Sequence, residues 1–162
     1  MYTKTGSQIT DAELAEFQKL VLCDPQVAPN HLPDRIRQAH YLTFLRLGGE
    51  LVAIGAIKNN PNYWCAISEE SGFDLAQDNY LGEVGYLHTA DAHRGNGYGT
   101  CVLESLMNAA KGKGLFATVQ SKNTASQRLL KKAGFMRVGN SWQSQQVDDS
   151  VELYVRILGE QK

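Results

Sequence analysis

No apolar run in the sequence approaches the length of a membrane span; the longest, Leu51 to Ile57, has the length of a strand. Nor does a signal-peptide pattern open the chain, because Met1 to Asp11 is polar. Cysteine is scarce: Cys23, Cys65 and Cys101 are odd in number and show no C-x-x-C spacing. Their pattern argues for a reducing compartment, expected to be the cytoplasm, and against a structural zinc. Repeats and low-complexity tracts are also missing. What remains, at 162 residues, is expected to be one domain spanning 1–162, long enough to bury a core. Net charge is nearly absent too, at −1, yet it is unevenly spread. Between Asp91 and Asn140 eight bases stand against two acids, a balance of +6 that leaves −7 for the remainder. Such a half attracts anions. No recognised nucleic-acid module accompanies it, which argues against nucleic acid as the partner. Lys131 and Lys132 also read simply as a solvated helix face.

The most informative stretch is Leu81 to Thr100, LGEVGYLHTADAHRGNGYGT. Val84, Tyr86, Leu87 and Thr89 suit a strand. Arg94-Gly95-Asn96-Gly97-Tyr98-Gly99 comes next, and then Val102, Leu103, Leu106, Met107 and Ala110 recur at helical spacing. A strand, a glycine-rich turn and a helix together place unpaired backbone N–H groups and a helix-dipole end at one point, which suits an anion. Two familiar loops do not fit. The dinucleotide fingerprint needs G-x-G-x-x-G and a later acid, but here the spacing is G-x-G-x-G and the strand Leu115 to Gln120 ends without one. A Walker loop needs Gly-Lys-Ser/Thr, which is absent.

What does fit is R-x-x-G-x-G, as Arg94, Gly97 and Gly99, which resembles the pyrophosphate loop of the GNAT superfamily of N-acetyltransferases. Asn123 to Phe135, NTASQRLLKKAGF, is similar to that family's second cofactor segment, with Asn123, Ser126, Gly134 and Phe135 in register. The resemblance implies acetyl-coenzyme A as cofactor. It also implies a mixed, mainly antiparallel α/β (α+β) sheet of about six to seven strands with helices on both faces.

Along the chain, Tyr2 to Thr5 reads as a first strand, and Thr10 to Glu13 has capping-box spacing for a helix ending before Pro25. A second helix is expected from Asp34 to His40. Tyr41 to Leu47 and Leu51 to Ile57 flank Gly48-Gly49 as a hairpin. Asn59 to Tyr80 then reads as a long acidic connection, expected to wall the acceptor site. Thr124 to Gln127 caps the next helix, Gly134 ends it, and strands are expected at Phe135 to Val138 and Val151 to Ile157. The expected order is β, α, α, β, β, β, α, β, α, β, β.

The resemblance places the pantetheine arm beside Leu87, His88 and Thr89, the phosphates on Arg94, Gly95, Asn96, Gly97, Tyr98, Gly99 and Thr100, and further contacts at Asn123 and Ser126. It makes Glu83, eleven residues before Arg94, the general base. The plainer reading of Glu83 is a solvated strand-end carboxylate. An alkylammonium with a pKa near 10.4 costs about 4–5 kcal/mol to neutralise at pH 7, so a base has work to do. Gly85 leaves room for an acceptor on a regular strand.

Leu130 departs from the family, which frequently has a tyrosine there to protonate the leaving thiolate; Ser126, another tyrosine or water is left for that task. His88 and His93 match no common zinc spacing, and His88 has opposite parity to Glu83 unless the strand bulges. No metal is therefore expected. Cys101 reads as packing, and Trp64 and Trp142 as either site wall or core. The expected partner is a small-molecule or peptide amine, met by a monomer or homodimer away from membranes. The competing reading is an acyl-CoA-binding module without turnover, which Leu130 favours.

Overall fold

A computed structural model describes residues 1–157. Seven strands form one sheet: β1 (Tyr2–Lys4), β2 (Tyr41–Leu47), β3 (Glu50–Lys58), β4 (Tyr80–Thr89), β5 (Gly114–Gln120), β6 (Met136–Gln143) and β7 (Ser150–Arg156). Their order is β1-β2-β3-β4-β5-β7-β6, and every pairing is antiparallel except β4 with β5. No helix among the described residues is long and apolar enough to cross a membrane.

Local chemistry accounts for most boundaries. α1 (Asp11–Val21) opens on a reciprocal capping box: the Glu13 N–H donates to Thr10 Oγ1 and the Thr10 N–H to the Glu13 carboxylate. Gly48 and Gly49, at φ +57° and +85°, make the β2–β3 turn that only residues tolerant of positive φ accept. α2 (Leu32–Gln38) begins two residues earlier than expected, with Pro33 inside its first turn, where a missing N–H costs nothing. α4 (Tyr98–Ala109) comes directly after the glycine loop. α5 (Thr124–Lys132) is capped by Asn123, not Thr124, through a bond from the Ser126 N–H to Asn123 Oδ1. It ends as expected at Gly134 (φ +89°), with the Phe135 N–H returning to the Leu130 carbonyl.

The main correction lies between the third and fourth strands. Residues 61–71, expected as part of an open connection, form α3 (Pro61–Ser71). Trp64 and Ile67 on this helix pack with Phe116, Leu153 and Val155. Trp64 is therefore core, edge-on to Phe116 at a centroid distance of 5.1 Å. Burial of such side chains is worth about 1.5–3 kcal/mol each, which holds the helix on the sheet.

The layers arise from strand alternation. α4 and α5 cover one face through Val102, Leu103, Leu106 and Leu130 on Val52, Ile57, Val84, Leu115 and Ala117. α1 and α2 cover the other through Phe17, Val21, Leu32 and Ile36 on Leu42, Phe44 and Ile54. Phe116 lies between Leu115 and Ala117 in sequence, so α3 shares the α1–α2 face.

Two irregularities of β4 shape the space beside it. Its pairing with β5 runs only from Tyr80↔Gly114 to Glu83↔Phe116; beyond that β4 keeps β3 as far as Thr89, while β5 continues with β7. The sheet therefore splits between β4 and β5, leaving one edge of Val84 to Thr89 without a strand partner. Within that edge Tyr86 takes φ +53°, and the four residues from Gly85 to His88 oppose the three from Ala56 to Ile54. This is a bulge. It reverses the parity beyond it, so His88 falls on the face of Glu83 and Gly85.

Candidate active site

Two clefts open where the sheet splits. The first, about 470 Å³, is lined by the β4 end (Leu87, His88, Thr89), the glycine loop (Arg94, Gly95, Gly97, Tyr98, Gly99), the start of α5 (Asn123, Ala125, Ser126, Leu129) and the loop after α1. Its floor is backbone. Gly95 and Gly97 sit at φ +82° and +79°, and a methyl added at either would meet no protein atom within 4 Å. Among the described residues no protein acceptor takes the backbone N–H groups from Gly95 to Thr100. α4 has no side-chain cap, so its N-terminal donors are left for an anion. The Arg94 guanidinium is exposed, donating to the Thr89 carbonyl at 3.3 Å and pairing with Asp91 at 3.1 Å. Burial, reinforced by Arg94, pushes the His88 imidazole below its ordinary value against the opposing pull of Asp24 and Asp91. That shift favours the neutral imidazole.

The second cleft, about 430 Å³, lies on the α1–α3 side of the split and shares Asp24 and Gln26 with the first. Glu83 lines it and is only 3% exposed, which overturns the picture of a solvated strand-end carboxylate. Both of its oxygens are held. Asn60 Nδ2 donates to Oε2 and Thr118 Oγ1 donates to Oε1, each at 2.8 Å. Trp64 Nε1 donates to Asn60 Oδ1 at 3.1 Å, which settles the orientation of that amide. Asn60 stands where α3 would take its side-chain cap, but makes none; its amide is committed to Glu83 instead. Lys58 Nζ is 3.8 Å from Glu83 Oε2 and 4.6 Å from the centre of the Tyr86 ring. It fills the space above Gly85, where a Cβ would come within 3.2 Å of Nζ, so the room expected beside Gly85 is taken by a cation. Tyr63, half-exposed, also lines the cleft; partial desolvation, aided by Glu83 and opposed by Lys58, pushes its phenol up.

Over residues 8–135 the chain matches the family model described as the acetyltransferase (GNAT) family. The chain belongs to the GNAT acetyltransferases. It is thus an acyltransferase, and acetyl-CoA is the family's cofactor. No curated protein matches it in sequence. Solved structures share the fold at low identity. ElaA of Escherichia coli is 15% identical over 96% of this chain and 97% of its own, with a TM-score of 0.71. YncA of Salmonella typhimurium, solved with its cofactor acetyl-CoA, is 17% identical over 100% and 96%, at 0.70. The ribosomal-protein-alanine N-acetyltransferase of Brucella melitensis is 17% identical over 98% and 100%, at 0.68.

The open amides, the glycine cradle and the unpartnered β4 edge fit this cofactor. As to the individual residues, Leu87, His88, Thr89, Arg94, Gly95, Gly97, Tyr98, Gly99, Asn123 and Ser126 all line the first cleft. Asn96 and Thr100 do not; Asn96 instead braces the loop by donating to the His93 carbonyl at 3.0 Å. Glu83 stands in the neighbouring cleft. Leu130, 1% exposed, belongs to the core beneath α5. Among the bases near the second segment, Lys122 is tied to the β6–β7 loop through the Asp148 carbonyl. The contacts that Asn60, Trp64, Thr118 and Lys58 make around Glu83 were missed from sequence. For the first two a signal existed: Pro61 at a helix start and Gly72 just past its end mark α3.

Proposed function

We propose that the chain is an acetyl-CoA-dependent N-acetyltransferase that passes the acetyl group to a primary amine by direct attack in a ternary complex. The observation that carries this reading is the meeting of two clefts at the split in the sheet, one floored by free amides and the other holding a buried, oriented carboxylate. Bound acetyl-CoA supplies the acyl group as a thioester. The amides from Gly95 to Gly99, with Arg94 beside them, hold the pyrophosphate. Backbone groups of Leu87 and Thr89 on the open β4 edge hold the pantetheine arm and polarise the carbonyl, as an oxyanion hole does. His88 completes that wall. Asn123 spends its carbonyl oxygen on the α5 cap and keeps its amide N–H₂ for the cofactor.

Glu83 takes the proton of the acceptor ammonium, directly or through one water. Its oxygens already accept from Asn60 and Thr118, so its orientation is set before the acceptor arrives. Ser126 is the proton donor to the leaving sulfur, because it lines the cofactor cleft one turn before the core residue Leu130. The test is acetyl-CoA-dependent thiol release with a panel of primary amines, run on the wild type and on Glu83→Gln and Ser126→Ala. Turnover with a defect in both variants supports the reading. Tight acetyl-CoA binding with no thiol release from any amine would instead make the chain an acyl-CoA-binding module.

A further inference from the structure

The Glu83 cleft is lined by two acids, Asp24 and Glu83, and two bases, Arg35 and Lys58. The acids are served by the protein. Glu83 has its two hydrogen bonds, and Asp24 Oδ1 accepts the Gln26 N–H at 2.9 Å. The bases are not. Lys58 makes no hydrogen bond among the described residues, and its closest carboxylate oxygen stands 3.8 Å away. Arg35 donates from Nη2 to the Ala28 carbonyl, and among the described residues it has no carboxylate within 4 Å. Its Nε is the one buried side-chain nitrogen or oxygen there without any partner. A guanidinium offers five donors and no acceptor, so Arg35 is left with donors to spare beside a cleft.

A plain alkylammonium would meet these two cations as well as the two anions, and like charges at close range in a partly desolvated site repel. A substrate carrying its own carboxylate removes that conflict. We infer that the acceptor is an amino-acid-type zwitterion, its carboxylate recognised by Arg35 within the field of Lys58 and its amine turned toward Glu83; this rests on the acetyltransferase reading above. A volume of about 430 Å³ suits a free amino acid more than a folded protein segment.

The experiment measures kcat/KM for thiol release with the common L-amino acids and, in parallel, their carboxamides. The carboxamide has the more easily deprotonated amine, so a preference for the acid runs against intrinsic reactivity. The expected result is a preference for at least one acid over its amide of about tenfold or more, expressed mainly in KM, as loss of a charge-assisted hydrogen bond implies. Arg35→Met should bring the ratio near one and Arg35→Lys should keep part of it, with acetyl-CoA affinity constant in both. Wild-type enzyme that uses amides as well as acids would overturn the zwitterion while leaving acetyl transfer intact. If no amine releases thiol although acetyl-CoA binds, acetyl transfer fails. Calorimetric titration of the CoA-loaded protein with the same pairs then decides the subsite: an acid-over-amide preference lost in Arg35→Met upholds it, and equal or absent binding of both overturns it.

Discussion

The two clefts are built on opposite plans. The floor of the first cleft, proposed for the cofactor, is made of backbone groups of a contiguous segment, with glycines keeping side chains out. The second cleft, proposed for the acceptor, is made of side chains brought from α2, β3, α3, β4, β5, the loop after α1 and the β6–β7 loop. Backbone donors tolerate drift in most side chains but depend on the conformation of the loop. A side-chain cluster keeps its shape only while each member stays in place.

The sharpest way to break this contrast is at Gly97. Gly97→Glu should abolish acetyl-CoA binding by calorimetry, because a carboxylate and its bulk would enter the open cradle. The φ of +79° adds a backbone cost of about 1–2 kcal/mol, so the melting temperature should fall modestly while the protein stays folded. Near-native affinity in a folded variant would remove the loop from cofactor binding.

On the other side, Glu83→Gln should lower the rate at neutral pH by about 10²-fold while acetyl-CoA affinity hardly moves. The loss should shrink as pH approaches the pKa of the acceptor amine, where free amine is already abundant. It should also be smaller for an amine of low pKa throughout. A pH–rate profile of both proteins with one high-pKa and one low-pKa amine measures this, and full activity of the variant at pH 7 on the high-pKa amine would exclude Glu83 as base.

A smaller effect should separate positioning from chemistry. Asn60→Ala removes one donor to Glu83 and leaves Trp64 Nε1 without its acceptor, so kcat should fall about tenfold while KM for acetyl-CoA holds, and stability should drop by about 1–3 kcal/mol. Trp64→Phe keeps most of the ring packing but frees the Asn60 amide, and should show a weaker version of the same kcat defect. Equal losses in kcat and cofactor affinity would point to general damage.

The smallest effect concerns the positive half of the chain. Cofactor binding should weaken as salt rises through the range that screens exposed charges. With Lys122 tied to the β6–β7 loop, Arg128 and Lys131 are the bases left to reach the 3′-phosphate. The dephosphorylated cofactor should therefore bind only a few-fold more weakly; identical affinities would leave both as ordinary surface.

The same contrast between local and distant contacts governs what was legible in the sequence. The β2–β3 hairpin, the α1 capping box and the end of α5 at Gly134 rest on contacts within a few residues, and all were read correctly. α3 was not. Its acidic residues and lack of bases after Lys58 resemble a solvated loop, and its amphipathic face has meaning only against Phe116 and Leu153. The Tyr86 bulge was equally hidden, because pleat parity is a property of pairing with β3 and not of composition.

The sequence by itself determined the glycine loop, the helix after it and the Asn123–Phe135 segment, since their chemistry is local and their spacing is short. It also determined that Glu83 stands on the central strand. Only the tertiary structure decided that this carboxylate is buried and held by Asn60 and Thr118, which lie 23 and 35 residues away. The same holds for Lys58 above Gly85 and for the orphaned Arg35 Nε. Side-chain contacts across a sheet depend on register, bulge and layer, which no short window of sequence contains.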